Sequence, residues 1–196
     1  MKVIVISSPL PVHKESKMIN QLFDNGLHTF HLRKSSYTRA HYKQLITEID
    51  EAYHNRIALH QYHELTTDFA IKRLHYTEEF RKQALESKTI PQTDNMILST
   101  SIHHLQDFND LKGFDYTFFG PVFNSLSKPG YTGVLTEDFK LPEYRKNVEL
   151  IALGGINAEK AHQVNAMGFD GLAVLGAIWN NPSKALHNFK SIQEKC

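Results

Sequence analysis

The chain has 196 residues, with 22 Lys and Arg against 21 Asp and Glu, for a formal charge of +1. That balance counts against a nucleic-acid binder, which carries a clear basic excess, and a hydrophobic content of 41% counts against global disorder. The single cysteine, Cys196, excludes a disulfide framework and suits a reducing compartment.

The first apolar run, Val3–Ile6, is four residues long. That is shorter than the roughly 7–15 of a signal-peptide core and far below the roughly 20 of a membrane span, so a cytoplasmic protein without membrane attachment is expected. Similar short runs recur at Thr29–Leu32, Ile57–Leu59, Lys72–Leu74, Met96–Ser99, Tyr116–Phe119, Leu150–Leu153 and Gly171–Leu175. Several are rich in β-branched or aromatic residues and read as strands, Lys72–Leu74 being the poorest on composition. Amphipathic segments lie between them. Thr38–Tyr53 places Tyr42, Leu45, Ile46 and Ile49 on one helical face. Asn157 caps a helix over Ala158–Met167 that Gly168 closes, and Ser183–Ile192 follows Pro182.

Strands alternating with helices predict a parallel sheet. Eight units at about 24 residues each predict an α/β fold, a single short (β/α)8 TIM barrel occupying residues 1–196 as one domain. An open doubly wound sheet is the competing arrangement, but Ser7-Ser8-Pro9-Leu10, and no glycine-rich turn, follows the first run.

A barrel carries its chemistry at the carboxyl ends of its strands. His31-Leu32-Arg33-Lys34, His60-Gln61, His75-Tyr76, Ser99-Thr100-Ser101, Gly120-Pro121, Gly154-Gly155 and Leu175-Gly176 stand there. Gly154-Gly155-Ile156-Asn157 and Val174-Leu175-Gly176-Ala177 would expose backbone N–H groups at helix starts, a phosphate-binding device. The loop Asn124–Gly133 is rich in hydroxyls and bracketed by glycine, so it suits a lid that brings Lys128 to an anion. Arg33 and Lys34 are expected to face the same mouth. The twelve histidines invite a metal reading, but no HExxH helix or Cys/His ligand set exists. Surface or pocket-lining histidines are the expected outcome, and no metal ligands are assigned.

The stretch Ser99-Thr100-Ser101-Ile102-His103-His104-Leu105, then Phe114–Phe123, Lys128, Ile151–Ile156 and Gly168–Val174, resembles the thiamine-phosphate synthase and thiazole tautomerase superfamily of short (β/α)8 barrels. The likeness is detailed in the second half and thinner in the first, where His31-Leu32-Arg33 and Leu74-His75 carry it. The resemblance implies an enzyme of thiamine biosynthesis, a transferase condensing hydroxymethylpyrimidine diphosphate with a thiazole phosphate and releasing pyrophosphate. It implies that Arg33, Ser101 and Lys128 are catalytic and serve the diphosphate and pyrimidine side. Ser125 and Ser127 stand at the family's threonines. Gly154, Gly155, Leu175 and Gly176 would hold the thiazole phosphate, and His31, Lys34, His60 and His75 would bind substrate.

It also implies magnesium, yet the residues depart from the family there. The strand-two pattern Gln-x-Arg-x-Lys reads His31-Leu32-Arg33-Lys34-Ser35, Asn-Asp reads His60-Gln61, and Gln-x-Asp reads Glu78-Glu79-Phe80. Gln61 and Phe80 thus replace the two metal-binding aspartates. The tautomerase branch lacks those aspartates but uses a histidine where Pro121 stands. A metal-independent tautomerase-like paralogue and an inert phosphate-ligand-binding barrel are therefore the alternatives to a synthase. Expected partners are small phosphate esters, with a possible homodimer.

Overall fold

The computed structural model describes residues 1–87, 95–124, 139–142 and 148–196. Eight parallel strands close into a barrel in sequence order: β1 (Lys2–Ile6), β2 (Thr29–Leu32), β3 (Ile57–Leu59), β4 (Arg73–Tyr76), β5 (Ile97–Ile102), β6 (Tyr116–Phe119), β7 (Glu149–Leu153) and β8 (Gly171–Val174). Closure is the pairing of β1 with β8, Val3 opposite Leu172 and Val5 opposite Val174. Around the barrel lie α1 (Glu15–Asp24), α2 (Arg39–Glu48), α3 (Glu78–Glu86), α4 (Ala158–Ala166), α5 (Gly176–Trp179) and α6 (Ala185–Gln193). The crossover from β3 to β4 is a 3-10 turn, His63–Thr67, and Leu105–Asp110 is another between β5 and β6. Such short 3-10 crossovers help a chain of this length to close eight units.

The eight strands are those anticipated, with β4 and β5 extended towards the mouth as far as Tyr76 and Ile102. Composition undersold β4 because its register with β5, from Arg73 opposite Ile97 to Tyr76 opposite Thr100, is a tertiary matter. The helix anticipated over Thr38–Tyr53 stops at Glu48. Asp50 takes the Ala52 N–H at 2.9 Å and opens a 3-10 turn, Glu51–Arg56, so a local side-chain acceptor outcompetes the helix. Thr38 caps α2 in a reciprocal box with His41, while Asn157 caps α4 by accepting the Lys160 N–H at 3.1 Å.

Strand alternation sorts side chains into two cores. Val3, Val5, Phe30, Leu32, Leu74 and Phe119 face the helices, whereas Ile4, Ile6, Tyr116, Phe118, Ile151 and Ala173 fill the barrel interior. On the β2, β4 and β5 side the buried complement is polar: His31, His75 and Ser99. None of the helices described is long and apolar enough to cross a membrane.

Candidate active site

A cavity of about 350 Å³ opens at the carboxyl ends of the strands, where the sequence places it. Arg33, His60, His75 and Ser101 line one side; Gly154, Gly155, Leu175 and Gly176 line another, over an apolar floor of Ile6, Phe118 and Ala173. Arg33 is held by its backbone. Ser7 Oγ accepts the Arg33 N–H and donates to the Arg33 carbonyl, both at 2.8 Å. With the main chain clamped, the guanidinium starts from a fixed base.

The opposite wall depends on glycine. The loops after β6 and β7 lie against each other, with Val122 N–H on the Leu153 carbonyl at 2.8 Å and Phe123 N–H on the Gly154 carbonyl at 3.1 Å. Gly155 has φ +66°, and a Cβ there would run into the Asn124 carbonyl, so the approach needs an absent side chain. After β8, Gly176 and Ala177 precede the first amide that the short α5 uses internally, Ile178 N–H to Leu175. Their N–H groups have no intrahelical acceptor. Trp179 Nε1 donates to the Ile6 carbonyl at 2.7 Å and pins α5 over the end of β1.

Three histidines meet under the mouth. His31 Nδ1 lies 2.9 Å from His60 Nε2, and His31 Nε2 lies 2.7 Å from the Tyr116 hydroxyl. His75 Nδ1 lies 2.9 Å from Ser99 Oγ and its Nε2 lies 3.1 Å from Ser101 Oγ. The His60 and His75 rings stack with centroids 3.9 Å apart. Because Ser99 donates to the Leu74 carbonyl, it accepts from His75 Nδ1–H. Nε2 of His75 is thus the lone-pair nitrogen, turned to Ser101. Burial pushes His31 down to about 3, with Arg73 adding a smaller share. Burial first, then the neighbouring histidines and Arg33, hold His60 and His75 well below the usual imidazole value. All three are neutral at pH 7. Burial raises Tyr116 to about 12, so its hydroxyl stays protonated.

Two expected substrate contacts require correction. Lys34 does not face the mouth. Its side chain is fully buried on the helix side, with Nζ 2.6 Å from Glu15 Oε2 and 2.8 Å from the Leu10 carbonyl. The cause is the strand period of two: His31 and Arg33 point inward, so Lys34 points outward. His31 is also fully buried and sits one layer beneath the cavity, behind His60. Ser125, Ser127 and Lys128 lie outside the described residues. Tyr116 was not among the expected site residues, and Ser7 and Ser99 stood at strand ends with no assigned role, although period two pairs Tyr116 with Phe118 and Ser99 with Ser101 on one face.

The residues present do not fit the magnesium site that the resemblance implies. Gln61 Oε1 accepts from Tyr42 at 2.7 Å, and Phe80 stacks on Tyr76. Glu78 is bound by Lys82 and by His103, both at 2.7 Å, which together hold its carboxyl down at about 2. Among the described residues, no pair of carboxylates faces the cavity.

Residues 3–178 match the family described as thiamine monophosphate synthase. The chain belongs to this family. Among curated relatives, the thiamine-phosphate synthase of Methanocella arvoryzae is 43% identical over 84 residues, covering 41% of this chain and 39% of that protein. That of Hydrogenobaculum is 26% identical over 186 residues, covering 91% and 86%. The chain's match therefore spans about two-fifths of the first relative's length and most of the second's. The thiamine phosphate pyrophosphorylase of Bacteroides thetaiotaomicron superposes with a TM-score of 0.76 at 24% identity, covering 100% of this chain and 97% of that one, and shares its fold. Pro121 lines the cavity wall, at the position where the resemblance implies the acid–base histidine of the tautomerase branch. Proline carries no proton to transfer.

Proposed function

We propose that the chain is a thiamine-phosphate synthase, joining hydroxymethylpyrimidine diphosphate to thiazole phosphate. The methylene carbon–oxygen bond to the diphosphate breaks, and pyrophosphate leaves with the electron pair. The thiazole nitrogen then donates its pair to the pyrimidine methylene cation, and the new C–N bond completes thiamine phosphate. The enzyme's task is to offset charge on departing pyrophosphate in a place poor in water.

One observation carries this reading: Arg33 and Ser101 face Gly155 and Gly176 across a single cavity. One wall suits the diphosphate, since a guanidinium can take two phosphate oxygens at once. The other offers backbone N–H groups to the thiazole phosphate. Phe118 and the stacked His60–His75 pair give a planar, largely apolar surface for the heteroaromatic rings between them. By resemblance Lys128 is assigned to the diphosphate, and Ser125 and Ser127 to the pyrophosphate or the thiazole. On this reading the partners are small phosphate esters of the cytoplasm.

The test is formation of thiamine phosphate from the two halves by the purified chain, against the thiazole half alone. Arg33→Ala is expected to lower kcat/KM by about 10²–10³-fold, the range seen when one oriented donor to a developing anion is lost. No product from both halves, with or without divalent metal, would overturn the assignment.

A further inference from the structure

The histidines at the cavity floor bring their ring nitrogens together, which neither the fold nor a surface for the substrate rings requires. Among the described residues, His31, His60 and His75 are the group of histidine, cysteine or acidic side chains close enough to share an ion, with one ligand nitrogen from each within 4.8 Å of the others. They come from three neighbouring strand ends, and the His31 ring stands edge-on to both partners at 75° and 74°. The far nitrogens are already held. Ser99 fixes His75 through Nδ1, and Tyr116 sits at His31 Nε2. Such outer partners orient metal-binding imidazoles and set their tautomers. His31 Nδ1 and His60 Nε2 face each other at 2.9 Å, and His75, whose Nε2 contacts Ser101 and whose ring stacks on His60, would turn its Nε2 from Ser101 to join them. For His31 to ligate, its Nε2 hydrogen goes to the Tyr116 oxygen, which a turn of that hydroxyl permits. His60 and His75 line the cavity, so an ion has a path in and an open position towards it.

We propose that His31, His60 and His75 bind one divalent transition-metal ion of the zinc, cobalt or nickel class at the cavity floor. Three neutral imidazoles suit these ions, whereas magnesium and calcium take oxygen ligands. At a metal–nitrogen distance of about 2.0–2.1 Å the ligand nitrogens stand about 3.3 Å apart in a tetrahedral site. The 2.9 Å His31–His60 contact therefore opens slightly while His75 closes in. A water or a phosphate oxygen would complete the set. The site stands on this geometry and not on the reaction assigned above, and its test reads binding rather than turnover.

The full chain, stripped with a chelator, is titrated with cobalt(II) and followed by visible absorption. One equivalent is expected to give the intense bands of a tetrahedral or five-coordinate ion, unaffected by millimolar magnesium. His60→Gln, at a position that reaches the cavity, is expected to weaken binding by more than about 100-fold, beyond the 10–100-fold typical of losing an outer-shell partner. His162→Ala, an exposed histidine of α4, is expected to change nothing. X-ray absorption of the wild-type zinc complex, which needs no variant, is expected to count three imidazoles. No cobalt spectrum, binding that survives His60→Gln, or fewer than three imidazoles around zinc would overturn the proposal.

Discussion

Lys34→Met is expected to lower the unfolding free energy by about 3–5 kcal/mol, the range for removing one partner of a buried ion pair. Lys34 is fully buried and Glu15 is 4% exposed, so water screens neither charge. Removing the ammonium leaves a carboxylate among apolar neighbours, and Glu15 Oε1 already has no hydrogen-bond partner. Burial pushes the Glu15 carboxyl up and the Lys34 ammonium down, against their mutual attraction. Desolvation therefore outweighs the attraction within the pair. Lys34→Met combined with Glu15→Leu is then expected to recover most of the loss, because no charge remains stranded. Urea denaturation of wild type, single and double variants checks this. A single-variant loss below about 1 kcal/mol would mean that water reaches the pair. The pair bears on function because Lys34 follows Arg33 directly, and its N–H donates to the Tyr42 hydroxyl at 2.9 Å. Loosening this corner is expected to reach Arg33 and lower kcat/KM as well as stability.

With a chelator present, stability is expected to fall steeply between pH 6.5 and pH 5. His31 and His75 are neutral in the fold, with values well below 6.5, about 3 for His31. The unfolded chain binds their protons near pH 6.5 and the folded chain does not. Their contribution is complete above that pH and is lost as pH falls towards the folded values. For His31 the slope rises from about half a proton at pH 6.5 to nearly one at pH 5, a cost of about 1.6 kcal/mol over this window, and His75 adds to it in the same direction. His60, His63 and His28 are lowered too and add in the same direction. Glu15, whose value is raised, opposes them as it takes up a proton in the fold. Denaturation midpoints across pH measure the slope, and His31→Gln is expected to remove about one proton from it. A flat profile between pH 6.5 and 5 would show that the floor histidines are solvated.

Both expectations concern residues whose identity the sequence displays and whose environment it does not. Periodicity was sufficient for eight strands and for the α4 cap at Asn157, because these depend on neighbours within a few positions. It was also sufficient to put Arg33, Ser101 and the Gly154-Gly155 and Leu175-Gly176 turns at one end of the barrel, since parallel strands all finish on the same face. Where it failed, the missing fact was which way a side chain points. Lys34 beside Arg33 reads as one cationic pair in a string of letters, yet the pleat sends the two to opposite sides of the sheet. Gln61 and Phe80 stand where the resemblance implies magnesium carboxylates, and only the fold shows Gln61 held by Tyr42 and Glu78 by Lys82 and His103.

Composition by itself determined a near-neutral protein with one cysteine and so no disulfide framework, and the alternation of apolar runs with amphipathic segments determined an α/β barrel. Composition also displayed twelve histidines without distinguishing among them. Only barrel closure decided that His31, His60 and His75, separated by 29 and 15 positions, share one floor while the others do not join them among the described residues. Local sequence fixes what a strand is through short-range sterics and periodicity. What lies across the barrel is fixed by strand register, and register is a long-range balance of packing that no single segment contains.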